Sequence, residues 1–122
     1  MWRVVADLLR DIVSYGGVKG DPLYIRMQDA LKKAQGGNLR QAEGVVTQLK
    51  QTLGNRTNAY KAYRSEVPNL VEVFEDLSLQ YEEVIKALKT NDSGKTVEAI
   101  TKFMEIMEKN ASKIEQDIKK VQ

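Results

Sequence analysis

Histidine and cysteine are both missing from this sequence. Without histidine the usual general base is gone, and with it the Ser-His and Cys-His triads and the commonest ligand of haem and transition metals. Without cysteine there is no disulfide framework, no thiolate nucleophile and no thiolate metal site, whichever compartment holds the chain. Carboxylates or lysine could still do chemistry, but the two absences together lead us to expect a protein that is not an enzyme. Proline is scarce, with only Pro22 and Pro68, and no apolar run is long enough for a membrane span. No basic-apolar-small leader opens the chain, so the expectation is a cytosolic protein or a mature, processed one.

What remains is 122 residues with 42% apolar and 30% charged side chains, the balance of one globular, well-solvated domain. The net charge of +2 is unevenly spread. Residues 1–60 hold nine Lys/Arg against five Asp/Glu, which gives +4, and residues 61–122 hold ten against twelve, which gives −2. Nucleic acid requires a dense basic face, and this asymmetry is too mild to supply one.

Apolar residues recur at spacings of three and four along the whole chain. Trp2, Val5, Leu9 and Ile12 mark a short helix over about 2–15, stopped by Gly16-Gly17 and Gly20. Asp21 reads as an N-cap with Pro22 at the first helical position, and Leu23, Met27, Ala30 and Ala34 face inward over 22–35. Gly36-Gly37 ends that helix and Asn38 caps the next, 38–65, whose stripe is Leu39, Ala42, Val46, Leu49, Leu53, Arg56, Tyr60 and Tyr63. Pro68 opens a helix over 68–90, striped by Leu70, Phe74, Leu77, Tyr81, Val84 and Leu88. A last helix over 95–121 carries Val97, Ile100, Met104, Met107, Ala111, Ile114, Ile118 and Val121. No segment alternates with the period of a strand.

The expected fold is all-α: an up-down-up-down antiparallel four-helix bundle whose first rod is interrupted near 16–21, with five separate helices as the alternative count. Regular heptads could also pair between chains, so a homodimer is a second possible arrangement. Shifting the chain by 57 residues lays Tyr24, Ala30, Leu31, Lys32, Gly37 and Ala42 on Tyr81, Ala87, Leu88, Lys89, Gly94 and Ala99. Two similar hairpins, by duplication or by shared bundle grammar, would produce this echo.

Within the first hairpin, Asp29-Ala30-Leu31-Lys32, Gly37, Ala42, Gln48-Leu49-Lys50, Asn58-Ala59-Tyr60 and Tyr63-Arg64 follow one another in order. In that order they resemble the closing two helices of the cytochrome b562 family, given a short insertion around Leu53-Gly54. The resemblance covers about 35 of 122 residues; it implies a four-helix bundle and an exported, periplasmic setting. Lys61 stands where that family has its histidine haem ligand. Phe74 stands nearest the place of its methionine ligand, and the helix order is permuted. Met27, Met104 and Met107 lie in apolar stripes, as gap-fillers do. No haem or other cofactor is therefore expected.

Two features depart from plain bundle grammar. Arg56 interrupts an apolar seam two residues after Gly54, which suggests a local kink or an opening of the bundle. It could hold an anionic ligand or a partner's carboxylate there. Alternatively its stem packs while the guanidinium reaches water or pairs with a carboxylate of the 68–90 helix. The second feature is the stretch from Arg64 to Lys86, which has no base but holds Glu66, Glu72, Glu75, Asp76, Glu82 and Glu83. A cation site, a docking face for a basic partner, or plain complementing of the helix dipole would each account for it. Lysines 109, 113, 119 and 120 interleave with acids as a solvated face, and Gly16-Gly17-Val18-Lys19-Gly20 follows a helix rather than the strand of a phosphate loop.

The leading expectation is a helical-bundle module acting by protein–protein contact as an accessory or structural subunit. Its candidate contact residues are Arg56, Lys61, Glu72, Glu75, Asp76, Glu82 and Glu83. A ligand- or cofactor-binding bundle, a divergent b562-like carrier, is the alternative. An exported accessory subunit of a membrane complex is a third reading that no motif selects.

Overall fold

A computed structural model describes residues 17–121. The helix expected over 2–15, with Trp2 and Tyr15, lies outside them, as does the Val121 side chain. A 3₁₀ turn at Val18–Gly20 leads into five helices: α1 (Pro22–Gln35), α2 (Leu39–Ala62), α3 (Pro68–Lys89), α4 (Ser93–Lys109) and α5 (Ala111–Val121). Among the described residues there is no strand, and no helix is long and apolar enough to cross a membrane. Each helix packs against the next from α1 to α4, and α4 packs back on α1, closing an antiparallel four-rod bundle; α5 extends the last rod along α3.

Local chemistry sets the boundaries. The Asp21 carboxylate accepts from the Leu23 backbone N–H at 2.9 Å and Pro22 occupies the first helical position, so α1 starts where a cap and a fixed φ coincide. At its end Gly37 takes φ 78°, a conformation that costs glycine nothing. There the Asn38 N–H reaches the Lys33 carbonyl at 2.8 Å and the Gly37 N–H reaches Ala34 at 3.0 Å. These are the paired bonds of a Schellman stop. Asn38 then caps α2 by accepting from Gln41 N–H at 3.3 Å.

The turn between α3 and α4 repeats the device. Asn91 takes the left-handed position at φ 55°, and Asp92 caps α4 through the Lys95 N–H at 3.0 Å. Gly37 and Asn91 are thus structural equivalents, as are Asn38 and Asp92, an offset of 54 (91 − 37, 92 − 38) and not the 57 that residue identities suggested. Buried positions follow the same offset: Val46 and Ile100, Leu49 and Phe103, Leu53 and Met107. Gly94 does not belong to the turn; it lies in the first turn of α4.

Two rods differ from expectation. Helix α2 stops at Ala62 instead of about 65, because Tyr63–Glu66 fold into turns ahead of Pro68, whose ring disfavours helix in the residue before it. The helix expected over 95–121 is broken at Asn110. Its side-chain Nδ2 donates to the Ile106 carbonyl at 2.7 Å, while its backbone N–H makes only a 3.3 Å bond to the same oxygen. A side chain competing for a helix carbonyl is a recognised cause of such breaks. The break sets α5 against the start of α3, where the buried Asp117 carboxylate accepts from the Leu70 N–H at 2.8 Å and from Asn69 Nδ2 at 3.3 Å. Val67, which precedes α3, provides no side-chain cap, so Asp117 serves one of the orphan donors from a distant helix.

The core runs the length of the rods, with Leu23, Met27, Tyr60, Leu70, Phe74, Leu77, Ile100, Phe103, Met107 and Ile114 fully enclosed. Val71, Val73 and Phe103 are also buried, beyond the single stripes read from the sequence. Tyrosine hydroxyls tie the ring of rods together: Tyr81 donates to the Val46 carbonyl at 2.8 Å and Tyr24 to Glu108 at 2.5 Å. The bond to Glu108, then burial, then the negative charge of Glu108 push the Tyr24 phenol up to about 12.

Candidate functional site

Arg56 does not open the bundle. Helix α2 runs through Gly54 without interruption, and Arg56 is only 5% exposed. Its guanidinium meets Asp21 as a fork on a fork, Nη1 to Oδ1 and Nη2 to Oδ2, each at 2.8 Å. Nε and Nη2 also donate to the Tyr60 hydroxyl at 3.2 and 3.1 Å. The guanidinium carbon lies 4.7 Å from the Phe74 ring centre, and Phe74 meets Tyr60 edge-on at 4.8 Å. Burial alone would disfavour the charge, but Tyr60 and Asp21 outweigh it and raise the Arg56 pKa above its ordinary value.

The expected partner of Arg56, a carboxylate of the 68–90 helix, is therefore corrected to the N-cap of α1, and the side chain neither reaches water nor offers itself as a contact. Among the described residues every buried side-chain polar atom has a hydrogen-bond partner. Four of the five guanidinium N–H groups of Arg56 are committed to Asp21 and Tyr60.

The other candidate contact residues lie on the surface, and the outward face of α3 gathers most of them. Leu79 is the centre of that face. It points away from the core and is 70% exposed, forgoing the roughly 1.5–3 kcal/mol that a buried leucine gains. On a helix, the surface neighbours of a residue are those three and four positions away. For Leu79 these are Glu75, Asp76, Glu82 and Glu83, all exposed carboxylates. Glu72 lies exposed further along the same helix.

Leu79 stands as a ridge between two grooves. The one toward α2, about 420 Å³, is lined by Thr57, Lys61, Glu75, Ser78 and Glu82. The one toward α4, about 560 Å³, is lined by Asp76, Gln80, Glu82, Glu83, Lys86 and the half-buried Ile106. Lys61 and Arg64 approach the same Glu75 oxygen at 3.9 and 3.8 Å, and Lys86 approaches Glu83 at 3.4 Å. Such exposed pairs contribute about 0–1 kcal/mol, so they can rearrange at little cost. Among the described residues, no group of three or more His, Cys, Asp or Glu converges as a metal ion would require.

Sequence reasoning named the acids and passed over the leucine between them. The signal was present: Leu79 is a large apolar residue opposite the α3 stripe, framed by carboxylates in both directions.

Among the described residues, fold and surface together define an all-α helical bundle whose third helix presents an exposed leucine rimmed by acids. No family model, curated protein or solved structure matches the chain.

Proposed function

We propose that this chain is a non-enzymatic helical-bundle module that works by protein–protein contact through the outward face of α3. The observation that carries the reading is Leu79, an exposed leucine rimmed by Glu75, Asp76, Glu82 and Glu83 and flanked by two grooves. A small apolar centre with a polar rim is the anatomy of an interface hot spot. The internally satisfied Arg56 cluster adds support from the other side, because the bundle's one buried cation among the described residues is already committed to Asp21 and Tyr60.

Affinity capture from the native extract tests the reading with three baits: the wild type, Leu79→Asp, and Lys113→Ala on the exposed surface of α5. A protein held by the wild type and by Lys113→Ala, and lost with Leu79→Asp, is the expected result. The same set retained by all three baits would refute a contact through this face. Circular dichroism on each bait checks that the bundle is intact, as substitutions at exposed positions rarely change stability by more than about 0.5 kcal/mol.

A further inference from the structure

We propose that α5 is an exchangeable arm: the helix that seats on α3 of its own chain also seats on α3 of a second copy, with Asn110 as the hinge. The inference is independent of the contact reading above, which concerns the outward face of α3. Gln80 Nε2 donates to the Ala99 carbonyl at 3.0 Å, which fixes the antiparallel register of α3 and α4. In that register Ala111 is about level with Pro68, the first residue of α3. A straight continuation of α4 would therefore carry Asp117, six residues further on, roughly 9 Å beyond the start of α3. The Asn110 break turns it back instead, to the Leu70 N–H at 2.8 Å.

The straight form is nonetheless written into the sequence. No glycine or proline occurs from Lys95 to Gln122, and Met107, Ala111, Ile114 and Ile118 step by four, three and four across the hinge. The bend rests on one residue, Asn110, at φ −104° and ψ 11°, whose side chain takes the Ile106 carbonyl at 2.7 Å. Among the described residues α5 packs chiefly on α3 and little on α4, the helix it continues. An opened chain would expose Ile114 and Ile118 and leave the Leu70 N–H without its cap. Two opened chains supply each other's seats with the same contacts: Asp117 accepting from Leu70 N–H and Asn69, and Asn69 Nδ2 donating to the Lys113 carbonyl. Because the contacts are equal in the two arrangements, the hinge and the protein concentration decide between them. A hinge of one residue leaves no slack, and short hinges favour exchange.

The test uses full-length chains, in which cysteine can be placed freely because the sequence has none. Asn110→Ala removes the competing amide and installs the best helix former at the hinge. It should dimerise at a concentration about tenfold or more below that of the wild type in sedimentation equilibrium. Two glycines inserted between Asn110 and Ala111 give the hinge slack and should leave a monomer. To locate the dimer contact, Asn110→Ala chains carrying either Asn69→Cys or Lys113→Cys are unfolded in urea, mixed, refolded together and treated with a short bismaleimide. Asn69 and Lys113 meet in the seat at 3.3 Å, so a cross-link between the two chains is expected. Arg40→Cys in place of Asn69→Cys, on the exposed first turn of α2, should give none.

The same cysteine pair without Asn110→Ala, refolded together at high concentration, should give the cross-link in lower yield, so the result does not depend on one variant folding. An Asn110→Ala chain no more dimeric than the wild type, no cross-link in either background, or a glycine insertion that dimerises equally would overturn the proposal. So would a dimer abolished by Leu79→Asp, because the copies would then meet through the outward face of α3. If α5 does not exchange while a captured natural partner still depends on Leu79, the contact reading stands and the exchange inference falls.

Discussion

Arg56 and Asp21 stand 35 residues apart in sequence and meet through two parallel 2.8 Å bonds in the interior of the bundle. Breaking such a pair from one side leaves a buried charge without compensation, which costs about 3–5 kcal/mol. Arg56→Leu should therefore destabilise the protein by that amount in urea unfolding, although leucine suits the stripe better. Asp21→Ser combined with Arg56→Met keeps a capping oxygen and removes both charges, and should recover most of the loss. An Arg56→Leu protein as stable as the wild type would show that the pair is dispensable.

Asp117 caps α3 from α5, and α5 begins at the Asn110 break. Asp117→Ala should cost about 2 kcal/mol, the scale of a charged hydrogen bond to a backbone donor. Hydrogen exchange would localise the effect: amides of Ala111–Val121 and the first turn of α3 should lose protection before those of α1 and α2. Uniform loss across all helices would contradict this placement.

Gly44 and Gly54 lie on the exposed side of α2, and a Cβ at either would meet nothing within 4 Å. Alanine there should stabilise the protein by about 0.5–1 kcal/mol at each site, additively, chiefly by narrowing the unfolded ensemble. Urea midpoints of the two single variants and the double variant measure it.

The raised phenol of Tyr24 makes stability depend on alkaline pH in a defined direction. The folded protein holds the proton more tightly than the unfolded chain, so the contribution is complete below pH 10.0 and is lost as pH rises through about 12. In Tyr24→Phe the decline of the urea midpoint above pH 10.0 should be shallower than in the wild type. Burial raises Tyr81 in the same sense, so some slope will persist.

Haem reconstitution separates the contact module from a b562-like carrier. Phe74 is buried against Tyr60 and Arg56, while Lys61 is exposed beside Glu75. These are the positions that the resemblance in sequence would set at the family's ligand sites, and the Phe74 ring has no atom to offer a metal. The expected absorption spectrum is that of free haem. A shifted Soret band lost on replacing Lys61 or Met104 would favour the carrier.

Most helix starts were legible because they depend on neighbours in sequence: Asp21 before Pro22, Asn38 after Gly37, and Pro68. The break at Asn110 was not, because Met107, Ala111 and Ile114 keep their spacing of four and three straight across it. Periodicity reports which side of a helix is apolar, and it is blind to a side chain that takes over one carbonyl. Arg56 was conspicuous as a charge in an apolar seam, but its partner lies 35 residues away and was already assigned a local task as a cap. The acids of α3 were visible as a run. The leucine they surround becomes meaningful only once the core side of the helix is known.

The shared duty of Asp21 has a consequence for how the α1–α2 hairpin is aligned. Apolar stripes with seven-residue repeats tolerate sliding, since a slip of one heptad, roughly 10 Å, lays leucines on leucines again. Asp21 resists it by being bound twice, to the first turn of its own helix through the Leu23 N–H and to Arg56 in the last third of α2. A slipped hairpin would bury Arg56 among hydrocarbons and leave the Asp21 carboxylate without its partner. The pair works as a key that fits at one depth, selecting a single alignment from several that the hydrophobic pattern alone would permit.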